Sequence, residues 1–179
     1  MSIMTTLQLY LFACLGLAVL VAVGLFTRAM ARRIAGALAG GATFGVVALG
    51  IIALGEKVGW WHMVITWEPY FLMLLLIDFT LSAFIYLITW RIARRFGWRG
   101  LAVAVIVAAL IGPPRDYWYM ARFPEWGAYG PGVVPVLVVA ATYALMVVVG
   151  HGVMRLVAGP ARADRLARTP TTTPISAPR

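Results

Sequence analysis

The chain alternates between long apolar runs and short stretches that hold most of its charged side chains. At 1.5 Å of rise per residue, about 20 apolar residues in a helix cross the hydrocarbon core of a bilayer. The pattern therefore predicts an all-α fold, a polytopic membrane protein built as a bundle of five transmembrane helices. These helices cover about residues 7–26, 34–54, 69–90, 97–112 and 133–157.

The basic residues predict how this bundle is oriented. Twelve of the 15 Lys and Arg residues lie in alternate gaps between the apolar runs, at 28–33, at 91–99 and after residue 154. Loops rich in Lys and Arg stay on the cytoplasmic side of the membrane. We therefore expect the N-terminus outside and the C-terminus in the cytoplasm. The predicted location is the cell inner membrane, which the chain crosses several times.

Composition supports a membrane protein and argues against a nucleic-acid-binding domain. Hydrophobic residues make up 63% of the 179 residues, and the mean hydropathy is +0.91. A water-soluble domain of this size does not bury that much apolar surface. The net charge of +9 comes from arginines beside apolar runs, where they set topology and contact anionic lipid headgroups. The predicted partner is thus the lipid bilayer, and no nucleic acid is expected.

The few cysteine and histidine residues predict neither a metal site nor a bound cofactor. Cys14 is the single cysteine of the chain and lies inside the first apolar run, which excludes an internal disulfide. His62 and His151 fall on opposite sides of the predicted membrane, so they are not expected to share a metal ion. The sequence also lacks nucleophile-elbow, Walker, HExxH and dinucleotide-binding motifs.

Domain organisation follows from the same runs. Residues 1–158 form the predicted transmembrane domain, and residues 159–179, rich in Pro, Thr, Ala and Arg, form a predicted disordered cytoplasmic tail. The fourth helix is the shortest, because Gly112, Pro113 and Pro114 follow an apolar stretch of only eleven residues. Continuation past a proline kink and a re-entrant segment are the two alternatives for this region.

Small residues in the second helix predict a close helix contact. Gly36 and Gly40 are four residues apart, as are Gly41 and Gly45. Glycines at this spacing let another helix backbone approach closely inside a membrane. We expect this face to pack inside the bundle rather than to form a homodimer.

Aromatic residues gather in the two predicted outer loops. Nine of the 14 Trp and Tyr residues lie in or beside these loops, whereas an interfacial belt enriches both membrane faces. Charges of both signs lie between them, so the loops are expected to form either a folded cap over a ligand site or an amphipathic interfacial layer. The nine are Trp60, Trp61, Trp67, Tyr70, Tyr117, Trp118, Tyr119, Trp126 and Tyr129.

Asp78 is the most informative single residue, because it lies about ten residues into the third predicted helix. An aspartate near the centre of a membrane helix costs roughly 2.5–3.5 kcal/mol and normally faces the bundle interior. Ser82 and Tyr86 follow at four-residue spacing, so the three side chains are expected to share one face of the helix. The residue is either a proton relay or ligand contact, or a structural hydrogen-bonding group.

Two further carboxylates complete the set of catalytic candidates, which is Asp78, Asp116 and Glu68. Glu68 precedes Pro69 at the outer mouth of the third helix, where a helix N-terminus favours a carboxylate. Asp116 and Arg115 follow the Gly-Pro-Pro sequence, which predicts a rigid turn that holds them, with a local ion pair as the alternative. The predicted ligand-binding residues are Arg115, Asp116, Tyr117, Tyr119, Trp67 and Asp78.

These residues support three hypotheses about function. The first is a binding or accessory membrane protein, whose outer-side cap covers a site for a lipophilic small molecule or a neighbouring membrane-protein subunit. The second is an enzyme that modifies a lipid or isoprenoid with Asp78, Asp116 and Glu68 as acid and base groups. The third is a proton-coupled transporter of small solutes in which Asp78 titrates.

Overall fold

The computed structural model describes residues 3–64 and 71–159 of the chain. Within these ranges, the side chains of residues 3–5 and 71–74 and of Asp78 lie outside the description. The described chain is mostly helical, as predicted. Its elements are α1 (Ile3–Thr27), α2 (Ala31–Val58), β1 (Trp61–Met63), α3 (Phe71–Arg122), a short 3-10 helix (Pro124–Trp126), β2 (Gly127–Tyr129) and α4 (Val134–Ala158).

Four helices in the described part are long and apolar enough to cross a membrane, which agrees with the predicted helical membrane protein. Each exceeds the roughly 20 residues that the hydrocarbon core requires. Their membrane-length portions are Thr6–Thr27, Ala31–Val58, Leu75–Arg122 and Val134–Ala158.

The helix α3 reverses direction at Gly97. A straight helix of its 52 residues would extend about 78 Å, far more than a bilayer. Gly97 has φ 66° and ψ −149°, a backbone conformation that is essentially restricted to glycine. Beyond it, Gly100 lies against Ile92, and Ile77 shares an apolar cluster with Tyr119. The helix thus consists of two adjacent arms, a first arm (71–96) and a second arm (98–122).

The fourth predicted helix does not end at residue 112, and of the two alternatives for this region the structure shows continuation past the prolines. The second arm continues through Pro113 and Pro114 to Arg122. Membrane helices tolerate interior prolines when neighbouring helices and local adjustments satisfy the freed backbone groups. The extra turns are also held by tertiary contacts, because Tyr119 and Met120 pack against a cluster of α1 and the first arm. Arg115 and Asp116 therefore lie on a helix and not in a loop after a rigid turn.

The glycine face of α2 packs inside the bundle, as predicted. A methyl group on Gly36 or Gly40 would meet the backbone carbonyls of Met154 and Gly150 in α4, and one on Gly41 would meet the backbone of α3. Apolar residues supply no hydrophobic drive between helices in lipid, so this close approach lets van der Waals contacts hold the bundle together. The stripe is thus used within one chain.

One end of the bundle collects arginines, and we name it the arginine end. It comprises the end of α1, the start of α2, the bend in α3 and the end of α4. Arg91 donates a hydrogen bond to the carbonyl of Phe26 at 3.0 Å, which joins α3 to α1. Arg33 is only 3% exposed and lies over the ring of Trp90, 4.9 Å from its centroid. The three basic stretches of the sequence, at 28–33, at 91–99 and after residue 154, therefore all begin at the same end of the molecule.

The opposite end is built from aromatic residues, and we name it the aromatic end. There β1 and β2 pair as a two-stranded antiparallel sheet, with Trp61 opposite Tyr129 and Met63 opposite Gly127. The end of α2 leads into β1, and the 3-10 helix leads from α3 into β2. The predicted second outer loop of residues 113–132 is therefore shorter than expected, since helix occupies its first ten residues.

We expect Gly97→Ala to destabilise the bundle by about 1–3 kcal/mol, because alanine does not adopt this backbone conformation without strain. Thermal unfolding in detergent measures the effect. Gly50→Ala is the matched control, since a methyl group at Gly50 meets open space inside a helix. Equal stability of the two variants would show that the reversal does not depend on glycine.

Candidate functional site

The sheet at the aromatic end is anchored to α2 by Trp61. The indole N–H of Trp61 donates to the carbonyl of Ile52 at 3.0 Å, and the ring lies over Gly55, where any side chain would collide with it. The backbone N–H of Met63 donates to a carboxylate oxygen of Glu56 at 2.9 Å. These contacts hold β1 against the last turns of α2, so the part of this predicted outer loop that the structure describes, through residue 64, is folded.

Stacked rings complete this end of the molecule. Tyr117 and Tyr129 stack at 4.3 Å with nearly parallel planes, and Trp61 meets Tyr129 edge to face. A second group joins α1 to the 3-10 helix, with Phe123 and Trp126 stacked at 4.5 Å. We name as the aromatic cap the set Phe12, Trp61, Tyr117, Tyr119, Phe123, Trp126 and Tyr129.

A cavity of about 360 Å³ lies beneath the aromatic cap. Side chains from all four helices and both strands line it, and most of them are apolar, such as Phe12, Ile77 and Met146. Arg115 and Asp116 are the charged side chains among the described lining residues. An apolar chamber of this size with a few polar groups is typical of small-molecule sites.

The polar wall of this cavity is a cluster of Arg115, Asp116 and Tyr143, which we name the polar cluster. The Nε and Nη2 groups of Arg115 donate to Oδ1 of Asp116 at 3.0 and 2.8 Å. The hydroxyl of Tyr143 donates to the same oxygen at 2.9 Å and accepts a hydrogen bond from Arg115. The local ion pair considered from the sequence is thus formed and extended to α4.

Gly112 makes room for the tyrosine of the polar cluster. Any side chain at Gly112 would overlap the ring of Tyr143. The guanidinium of Arg115, one turn further along the second arm, lies over the same ring at 5.1 Å from its centroid. A small residue followed by an arginine therefore lets the second arm and α4 approach closely enough for the cluster to form.

The electrostatics of the cavity wall are balanced. The positive charge of Arg115 is opposed by the carboxylate of Asp116 at 2.8 Å, so the pair adds no net charge. Both side chains are partly exposed, at 43% and 20%. Burial, and after it the charge of Asp116, raise the pKa of Tyr129 above its usual range, so its hydroxyl stays protonated.

The structure brings only some of the predicted ligand-binding residues to the cavity. Arg115, Asp116 and Tyr119 line it, whereas Tyr117 contributes a stacked ring to the aromatic cap. Trp67 and Glu68 lie outside the described residues. Their predicted roles remain predictions.

Asp78 lies in the first arm, and its side chain is outside the description. The two residues predicted to share its face are buried against α4, as their spacing suggested. The hydroxyl of Tyr86 donates to the carbonyl of Met146 at 3.1 Å, and Oγ of Ser82 lies 3.8 Å from the sulfur of the same methionine. Ser82 also lines the cavity. The predicted polar face thus has two members directed toward α4.

Sequence reasoning missed Tyr143 and gave Trp126 no specific role. Tyr143 is one tyrosine within the apolar run of α4, and its four-residue spacing to Val139 and Val147 places it on the helix face that packs inward. That spacing was the available signal. Trp126 is 7% exposed, lines the cavity, and its indole N–H finds no acceptor among the described residues.

The histidines stand apart from this site. His62 is exposed on β1, and His151 is buried near the arginine end, where its Nδ1 lies 3.3 Å from the hydroxyl of Thr89. Across residues 3–64 and 71–159, the His, Cys, Asp and Glu side chains do not assemble into a group of three or more that would hold a metal ion.

In comparisons with protein-family models, curated proteins and solved structures, the chain matches none of them.

We expect Tyr143→Phe to lower the free energy of unfolding by about 1–2 kcal/mol, because it removes a hydrogen bond to a carboxylate in an apolar setting. Unfolding in detergent monitored by tryptophan fluorescence provides the measurement. Tyr117→Phe serves as control, since the hydroxyl of Tyr117 has no protein partner among the described residues. A loss that is the same in both variants would rule out a stabilising role for the polar cluster.

Proposed function

We propose that this protein binds a lipophilic small molecule in the cavity beneath the aromatic cap. The observation that carries the proposal is the cavity of about 360 Å³, which is mostly apolar and has the polar cluster in its wall. A neighbouring subunit is the less suitable occupant, because a protein partner needs an extended surface of about 800 Å² per side.

The proposed setting is the inner membrane, crossed five times. Two observations support this topology. Each arm of α3 has about 25 residues, which is enough for one crossing, and the reversal at Gly97 lies at the arginine end. With the arginine end in the cytoplasm, the N-terminus and the aromatic cap face outward. The ligand would then enter from the outer leaflet or the outer aqueous side.

The enzyme and transport hypotheses receive less support. Acid and base catalysis with Asp116 requires a carboxylate that exchanges protons with a substrate. Its Oδ1 instead accepts three hydrogen bonds from Arg115 and Tyr143, so this oxygen is already engaged by groups of the protein. Both hypotheses otherwise depend on Glu68 and on the side chain of Asp78, which lie outside the described residues.

The topology is tested by fusions to alkaline phosphatase, which is active only outside the cytoplasm. We expect active fusions after residues 62 and 130, and inactive fusions after residues 30, 97 and 159. Activity of the fusion at residue 97 would contradict the proposed orientation, because that position lies in the bend at the arginine end.

Ligand binding is tested by native mass spectrometry of the protein released from nanodiscs. We expect a lipophilic molecule bound at one per chain, and its loss from Ala48→Phe, because Ala48 lines the cavity and a ring there fills it. Ala53→Phe is the matched control, since Ala53 is exposed on the same helix and does not line the cavity.

The two variants also separate the possible outcomes. Retention of the bound molecule in Ala48→Phe, with an unfolding temperature like that of the wild type, would place its site elsewhere. Absence of any bound molecule from the wild-type protein would remove support for the proposed function.

A further inference from the structure

A second cavity, of about 710 Å³, adjoins the one beneath the aromatic cap. It runs between the two arms of α3 and against α4, and we name it the arm groove. On the second arm its lining extends from Arg99 to Arg115, which corresponds to roughly 24 Å along a helix. That length is comparable to most of the hydrocarbon core of about 30 Å.

The arm groove and the cavity meet at the polar cluster. Ile85, Arg115, Tyr143 and Met146 line both of them. Between its ends the arm groove is lined almost entirely by apolar side chains, such as Ile88, Val103 and Val107. Because the two cavities share these residues, a polar head at the polar cluster would lie at one end of the arm groove, whose apolar lining suits one long chain.

The hydrogen-bonding groups at the head position determine the chemistry of that head. The indole N–H of Trp126 is buried in the cavity wall without an acceptor among the described residues. Arg115 uses Nε and Nη2 in the polar cluster, and the described residues offer no acceptor to its Nη1. A buried donor without an acceptor is unfavourable, so a ligand that supplies an acceptor oxygen to the N–H of Trp126 is favoured, and Nη1 of the partly exposed Arg115 offers a second donor.

The charge balance of the polar cluster disfavours an anionic head. The carboxylate of Asp116 balances Arg115 and faces the same cavity, so a phosphate or free carboxylate would lie beside a fixed negative charge. In an apolar cavity such repulsion is weakly screened. No second cation offsets it, because Arg115 is the one basic side chain among the described residues that line the cavity.

Resting on the proposed function, we propose that the ligand is a single-chain lipid with an uncharged, oxygen-bearing head, held at Trp126 and Arg115 with its chain in the arm groove. The class includes monoacylglycerols and other long-chain esters, ketones and alcohols. Single-chain phospholipids and free fatty acids fall outside it.

The test compares two lipids that differ only in a phosphate group. Purified full-length protein in detergent is titrated with 1-oleoylglycerol or 1-oleoyl-lysophosphatidic acid at matched mole fractions in the micelle, and native mass spectrometry gives the bound fraction. We expect 1-oleoylglycerol to bind at one per chain, and at least about tenfold more tightly than the phosphate. If the wild-type protein binds 1-oleoyl-lysophosphatidic acid as tightly as 1-oleoylglycerol or more tightly, the inference about the head group is wrong. The proposed function, binding of a lipophilic molecule, would still stand.

Two variants examine the head position directly. Trp126→Phe keeps an aromatic ring and removes the donor, so we expect about five- to tenfold weaker binding of 1-oleoylglycerol, the effect of one hydrogen bond. Trp118→Phe is the control, because Trp118 is 60% exposed and does not line the cavity. Asp116→Asn leaves Arg115 uncompensated, and we expect it to shift the preference toward the phosphate.

The remaining outcomes are also decisive. If the affinities for both lipids are the same in the wild type, Trp126→Phe and Asp116→Asn, the lipids bind elsewhere and the inference is wrong. Failure of both lipids to bind would overturn it as well. The nanodisc experiment then reports separately whether the cavity holds a lipophilic molecule of another kind.

Discussion

The reversal of the chain at Gly97 is the constraint on which the candidate site depends. Without it, α3 would extend far beyond a bilayer, and the second arm would not lie beside the first. With it, Arg115 and Asp116 return to the aromatic end and meet Tyr143 of α4. A single backbone conformation that only glycine adopts readily therefore decides whether the polar cluster forms.

The site combines strong polar interactions with a neutral balance of charge. In an apolar cavity an isolated charge is costly, whereas a paired and hydrogen-bonded one is tolerated. Arg115 and Asp116 meet this condition through each other and through Tyr143. The unused donor of Trp126 is then the group that a ligand can satisfy. This arrangement is the basis for the proposed recognition of an uncharged oxygen.

The two ends of the bundle differ in their side chains: one is rich in arginine and the other in aromatic residues. Arginines lie at the end where the bend of α3 meets the other three helices. There Arg33 and Arg94 both lie over the ring of Trp90. The aromatic end instead carries a folded sheet and stacked rings over the cavity. Tryptophan and tyrosine suit a position between hydrocarbon and water, because each ring has an apolar body and a polar group.

The one-dimensional pattern was enough for the helical class, the approximate helix positions and the inward glycine face of α2. Those features depend on apolar length and on residue spacing, which are local properties. The pattern left two alternatives open at Pro113 and Pro114, and tertiary contacts of Tyr119 and Met120 decide for a helix that continues beyond them. The pattern did not single out Tyr143, because its spacing to Val139 and Val147 indicates an inward helix face, whereas its partners are set only when α4 packs against Gly112. Arg115 and Asp116 were visible as candidates, but their partner and the cavity were set by how distant helices pack.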